Sequence, residues 1–172
     1  MENNAETVSR PQKLEHVQTI HYEMDMLDYC YGRLRERKWA DTNDYDLCIE
    51  GFLLHYRNLI QFFGNHSGLR AGKPEDWSTK TLSEAEVASI QDASLLHEYD
   101  GQISQYLCHC TPIRAERDIE WKHIEMYGKI APLMTNFRKL FPPEPRMPKE
   151  MLMLGAEGVS TATVEKRRTS LL

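Results

Sequence analysis

Ile49-Glu-Gly-Phe-Leu-Leu-His-Tyr-Arg-Asn-Leu-Ile-Gln-Phe-Phe63 decides the fold. Ile49, Phe52, Leu53, Tyr56, Leu59, Ile60 and Phe63 recur at steps of three and four, the period of a helix with one broad apolar face. Leu54 and Phe62 extend that face sideways, so this helix is expected to be central and to touch more than one neighbour. His55, Arg57 and Asn58 interrupt its middle. A helix that only packs has little use for an imidazole, a guanidinium and an amide so close together. These three residues either lock a bundle through polar contacts or form a site.

The flanking sequence repeats the same pattern. Upstream, Val17, Ile20, Met24, Leu27, Tyr31 and Leu34 predict a first helix from Gln12 or Lys13 to Lys38. Gly32 lowers helix propensity there and offers a place for a neighbouring helix to come close. Asp41-Thr-Asn-Asp44 supplies a turn and an N-cap, most simply at Thr42, Asn43 or Asp44, for a second helix over Tyr45 to Phe63. Gly64-Asn-His-Ser-Gly68 ends that helix with residues that tolerate a left-handed backbone.

Residues 64 to 82 lack periodicity and are expected to cross one end of the bundle, with Trp77 as an apolar anchor. Ser83-Glu-Ala-Glu86 matches a capping box and predicts a short helical turn. A third helix is read over Ala93 to Cys110, with Leu96, Tyr99, Ile103, Tyr106, Leu107 and Cys110 facing inward. A fourth is read over Ala115 to Leu140 through Ile119, Ile124, Tyr127, Ile130, Leu133, Met134, Phe137 and Leu140. Pro112 separates these two helices, Pro132 is a candidate kink, and Pro142-Pro-Glu-Pro145 stops the last one. The expected fold is all-α: an antiparallel four-helix bundle with a long irregular connection between helices two and three and a loose C-terminal tail. The domain is placed at 13–141, after a flexible lead at 1–12 and before a tail at 142–172 that is partly docked or disordered.

The 172 residues make one domain, and an apolar content of 41% suffices for a core. A net charge of −5 and a pI near 5.8 argue against a dedicated DNA-binding protein, though a local arginine patch could still receive a single strand. Cys30, Cys48, Cys108 and Cys110 lack a repeated CxxC spacing and sit among apolar residues, which fits reduced thiols. No secretory leader opens the sequence and no run of apolar residues reaches membrane-spanning length, so a cytoplasmic protein without membrane attachment is expected.

Three constellations could hold chemistry. Glu50, Arg57 and Asn58 share one side of the second helix, while His55 stands roughly 160 degrees from Arg57 on an ideal helix. Those two side chains cannot both reach one small cavity without a bend, and Asn58 can face either. The structural alternative pairs Arg57 with a carboxylate on another helix and has Asn58 cap a carbonyl. The second constellation is Cys108-His-Cys-Thr-Pro-Ile-Arg114, where His109, Thr111 and Arg114 gather at a helix break, with Trp121 downstream. If Arg57 met His109, the pair would join a phosphate anchor to a proton-transfer group, the parts needed for metal-independent RNA cleavage. The third is a metal site. Adjacent Cys108, His109 and Cys110 cannot easily ligate one ion, and Glu120-Trp-Lys-His123 lacks the partners a di-iron bundle needs. No metal or cofactor is expected.

Phe52-Leu-Leu-His-Tyr-Arg-Asn-Leu-Ile-Gln-Phe-Phe63 together with Ile103-Ser-Gln-Tyr-Leu-Cys-His-Cys-Thr-Pro-Ile-Arg114 resembles a group of small all-helical bacterial proteins of unassigned function. Their paired motifs read F-L-x-H-x-R-N-L-x-x-F-F and H-x-T-x-x-R. A weaker likeness is to the HEPN superfamily, usually dimeric helical bundles that include toxin and defence ribonucleases. Arg57-Asn58 looks like the opening of the HEPN signature. The histidine that should follow falls where this chain has Phe62, Phe63 and Gly64, so His66 or His109 would have to serve.

Two readings result. The leading one is a helical-bundle protein that works through association, as a homo-oligomer or with a protein partner. The other is a HEPN-like metal-independent ribonuclease acting through Arg57, Asn58 and His109, or His66 in its place. In that reading His55, Thr111 and Arg114 contact the RNA.

Overall fold

The computed structural model describes residues 10–37, 39–64, 77–108 and 120–143. Five helices appear there: α1 (Arg10–Glu36), α2 (Thr42–Phe63), the short α3 (Glu84–Ser89), α4 (Ala93–Cys108) and α5 (His123–Leu140). The four long ones form a bundle. Arg33 on α1 pairs with Asp44 on α2, and Glu23 with His55, so α1 and α2 run antiparallel. Arg57 on α2 meets Asp100 on α4 while Gly64 lies against Leu96, giving a second antiparallel pair. Tyr127 on α5 bonds Asp28 on α1, and His21 bonds the Phe141 carbonyl just beyond α5, which closes the bundle antiparallel to α1.

The core follows the apolar steps. Met24 and Leu27 on α1 are fully buried, as are Phe52, Leu53, Tyr56, Leu59 and Ile60 on α2. Ile103 on α4 and Ile130 and Phe137 on α5 complete the centre. Each such side chain contributes about 1.5–3 kcal/mol through burial. α2 is indeed central, packing on α1, α4 and α5. Trp77 anchors one end, with ring centroids 5.0 Å from Phe62 and 5.3 Å from Phe141.

Several boundaries and faces differ from the sequence reading. α1 ends at Glu36, because Arg37 turns into the left-handed region at φ 51° and its amide returns to the Leu34 carbonyl. α2 starts earlier than expected. Its cap is Asp41, whose side chain accepts from the Asp44 amide, while the Asp44 carboxylate is drawn to Arg33 and the Ala40 amide. Gly64 keeps a right-handed φ of −80°. What requires glycine there is close approach, since a Cβ would sit 2.9 Å from the Leu96 Cβ. Gly32 meets nothing within 4 Å, whereas Gly51 is where two helices touch: its Cβ would lie 3.0 Å from Cys30 Sγ.

The capping box at Ser83 and Glu86 forms with both reciprocal bonds. α5 begins only at His123, with residues 120–122 irregular, and helix continues through Pro132. Ile124 is 62% exposed because it points away from the Met126–Ile130–Met134–Phe137 stripe. Leu54 is likewise 45% exposed, while Leu95, not assigned inward from sequence, is buried. No helix among the described residues is long and apolar enough to cross a membrane.

Candidate functional site

The polar residues in the middle of α2 go to two different flanks. Toward α1, the Glu23 carboxylate accepts from His55 Nδ1 at 2.7 Å and from Asn58 Nδ2 at 3.0 Å, both on Oε2. Glu23 and His55 are almost out of solvent, with side-chain exposures of 15% and 9%. Burial pushes the Glu23 carboxyl upward, but the bonds from His55 and Asn58 and the His55 charge outweigh it and hold the group below its ordinary value. An ionised carboxylate can only accept. Nδ1 is therefore the protonated nitrogen, which leaves Nε2 as the basic one in the neutral ring.

Toward α4, Asp100 accepts from Gln61 Nε2 at 2.7 Å and from Arg57 Nε at 3.3 Å. Both members of the Arg57–Asp100 pair are about one quarter exposed. The helical geometry that sets His55 and Arg57 apart is thus observed, and each takes its carboxylate from a different neighbouring helix. Asn58 belongs to the His55 side and binds a carboxylate, where the sequence reading had offered a carbonyl. Arg57 has the carboxylate partner that its structural alternative called for. His66, His109, Thr111 and Arg114 lie outside the described residues.

The sequence reading assigned Glu23, Asp100 and Gln61 none of these contacts. Nothing local to them marks them out, because their roles depend on the register between helices. Among the described residues, no three His, Cys, Asp or Glu side chains converge as a possible metal-ligand set. Cys30 and Cys48 are free, buried thiols, and burial, reinforced by Cys48, pushes the Cys30 thiol up to about 11. The Tyr56 hydroxyl is buried without a hydrogen-bond partner, deep against Phe52 and Tyr99, and offers nothing to a ligand. A cleft of about 480 Å³ opens between Lys13 and the Ser78–Leu82 segment, and none of the residues selected from sequence lines it.

One surface stands out. Tyr22 and Tyr29 on α1 are 48% and 58% exposed, and Leu47 and Leu54 on α2 are 69% and 45% exposed. Each pair is spaced by seven residues, so each forms a ridge along its helix. Tyr22 sets its ring against the His55 imidazole at 5.9 Å, placing the Glu23–His55–Asn58 cluster as the floor beneath the tyrosine ridge. Arg33, one turn on from Tyr29, is paired with Asp44.

No protein-family model matches this chain, and no curated protein or solved structure is significantly similar to it.

Proposed function

We propose that this chain is a helical-bundle protein that works through protein association, and that the outer face of α1 and α2 is the surface it uses. The observation behind this reading is the pair of exposed ridges, Tyr22 and Tyr29 beside Leu47 and Leu54. Four large apolar side chains on one face leave a patch at or above the few hundred Å² found on an ordinary monomer surface. Glu23, His55 and Asn58 then have a structural role: they pin the two helices that present the ridges. The free thiols of Cys30 and Cys48 support placing the protein in a reducing compartment such as the cytoplasm.

A photo-crosslinking residue at Leu54, introduced into the full chain in cells, tests the reading. It should give a discrete protein adduct that a residue at Thr135, exposed on α5, does not give. Equal labelling from the two positions would contradict it.

The ribonuclease reading has one observation in its favour, the carboxylate-oriented imidazole of His55, an arrangement suited to proton transfer. Its candidate residues remain Arg57, Asn58 and His109 or His66, and Arg57 would have to leave Asp100 to hold a phosphate. EDTA-resistant cleavage of single-stranded RNA, lost in Arg57→Gln with melting almost unchanged, is the expected result of that reading. Absence of cleavage by the purified chain would remove it.

A further inference from the structure

We infer that Cys30 and Cys48 form a redox switch in the seam between α1 and α2: a peroxide joins the two thiols as a disulfide that locks these helices together, and a thiol reductant releases them. Glu23 and His55 meet at 2.7 Å across this seam. Cys30 lies seven residues after Glu23, and Cys48 seven residues before His55. Seven residues are about two helical turns, and α1 and α2 run antiparallel. The same step along each helix therefore brings Cys30 opposite Cys48 on the facing sides. Arg33 and Asp44, the next contact beyond them, keep that register. Gly51, one turn after Cys48, is where the helices touch: its Cβ would lie 3.0 Å from Cys30 Sγ. Packed helix axes lie about 8–10 Å apart, which brings facing Cα atoms to roughly 4–6 Å. A disulfide spans Cα separations of about 4.4–6.8 Å. Both thiols are buried and free.

The chemistry balances with a peroxide as the oxidant. The Cys48 thiolate attacks one peroxide oxygen and the O–O bond breaks. Cys48 becomes a sulfenic acid, and the departing hydroxide takes up a proton to become water. The Cys30 sulfur then attacks the sulfenic sulfur, loses its proton, and a second water leaves. Two thiols thus give two electrons to one peroxide, which is reduced to two waters. Burial, reinforced by Cys48, pushes the Cys30 thiol up to about 11, which suits it to the second step and not the first. Because both sulfurs are buried, oxidation waits on local openings of the seam and answers sustained oxidant. The bridge closes the stretch of chain that contains the α1–α2 turn, so it stabilises by restricting the unfolded chain. In a reducing compartment a disulfide of this kind is transient and acts as a sensor.

Peptide mapping of the full chain after prolonged incubation with hydrogen peroxide in native buffer is the test, with remaining thiols alkylated before digestion. Cys30 and Cys48 fall in separate tryptic peptides, 14–33 and 39–57, and Cys108 and Cys110 share a third, 81–114. The expected result is a link between 14–33 and 39–57 that dithiothreitol dissolves. The oxidised chain should also melt about 5 °C or more above the reduced one. Cys48→Ser should abolish both the link and the rise. Its melting before and after the same treatment separates loss of the bridge from the cost of the substitution and from oxidation elsewhere. Thiols that stay free, oxidation that stops at sulfinic acid on either cysteine, or a link from either one to 81–114 in place of the other would overturn the proposal. So would a bridge that forms only in denaturant, or one that leaves melting unchanged or lower.

Discussion

His55 and Glu23 meet at 2.7 Å across the seam between α2 and α1, and the same carboxylate oxygen also takes the Asn58 amide. One acid thus satisfies two donors of the facing helix in a nearly buried place. Burying a carboxylate is costly, and the two bonds offset that cost only while both remain. The cluster therefore fixes the register of α1 on α2 more than it adds to net stability.

Removing the acid should expose this dependence. Glu23→Ala leaves His55 Nδ1 and the Asn58 amide without an acceptor, and the expected loss is about 1–3 kcal/mol in denaturant unfolding. The Glu23→Ala/His55→Ala double variant should lose less than the sum of the singles, since the two share one interaction. Additive losses would show that the pair is not coupled.

The acid limb of the stability curve follows from the same contact. The Glu23 carboxyl is held below its ordinary value of 4.5, so it binds a proton less readily in the folded chain than in the unfolded one. Its contribution is fully present above that ordinary value and is lost as pH falls through the lowered one. The exposed Glu86 in its capping box, held down to about 2 by Lys80 and Ser83, acts in the same direction. Unfolding free energy should therefore fall as acid is added below about pH 4.5, and Glu23→Gln should make that fall shallower. An equally steep fall in Glu23→Gln would contradict the assigned contact.

Arg57 separates the two functional readings through RNA cleavage and not through melting, because its contact with Asp100 is partly exposed. As a partly exposed partner of Asp100 it should contribute little, and Arg57→Gln should cost about 1 kcal/mol or less, shrinking as salt is raised. Asp100→Ala should cost more, because it also strips Gln61 of its acceptor. Melting curves at low and high salt check both. A large, salt-independent loss in Arg57→Gln would mean that Arg57 has a role Asp100 does not explain.

The helical glycines should respond in opposite ways. Gly32 has open space around a Cβ, so Gly32→Ala should raise stability by about 0.5–1 kcal/mol through helix propensity. Gly51→Ala drives a methyl to 3.0 Å from Cys30 Sγ, which should cancel or reverse that gain. Adding Cys30→Ala should restore the benefit. Thermal melting of the three variants decides the matter, and an equal gain from Gly51→Ala alone would show that the seam is looser than described.

Much of the bundle was legible because helix faces are local. Steps of three and four located α1, α2 and α4 and most of their buried residues, and Ser83–Glu86 announced its own capping box. The misjudged positions lie where a local pattern has two solutions. Leu54 and Ile124 looked like the edge of an apolar stripe, and only packing shows them facing out. The cap of α2 was read at Thr42, Asn43 or Asp44, but it is Asp41, and the Asp44 carboxylate goes to Arg33 instead. Glu23 and Asp100 were missed because choosing a partner across a seam requires the register between helices. The seven-residue spacing of Tyr22 with Tyr29 and Leu47 with Leu54 was present in the sequence and is the signal that could have disclosed the outer face.

The most direct test of that face is a methyl NMR dilution series on the full chain with leucine methyl groups labelled. Any signals that move with concentration should be those of Leu47 and Leu54 while the buried Leu53 and Leu59 stay fixed, and Leu54→Glu should abolish the movement at Leu47. Shifts confined to other leucines would contradict the assignment of the α1–α2 face as the surface through which this chain associates.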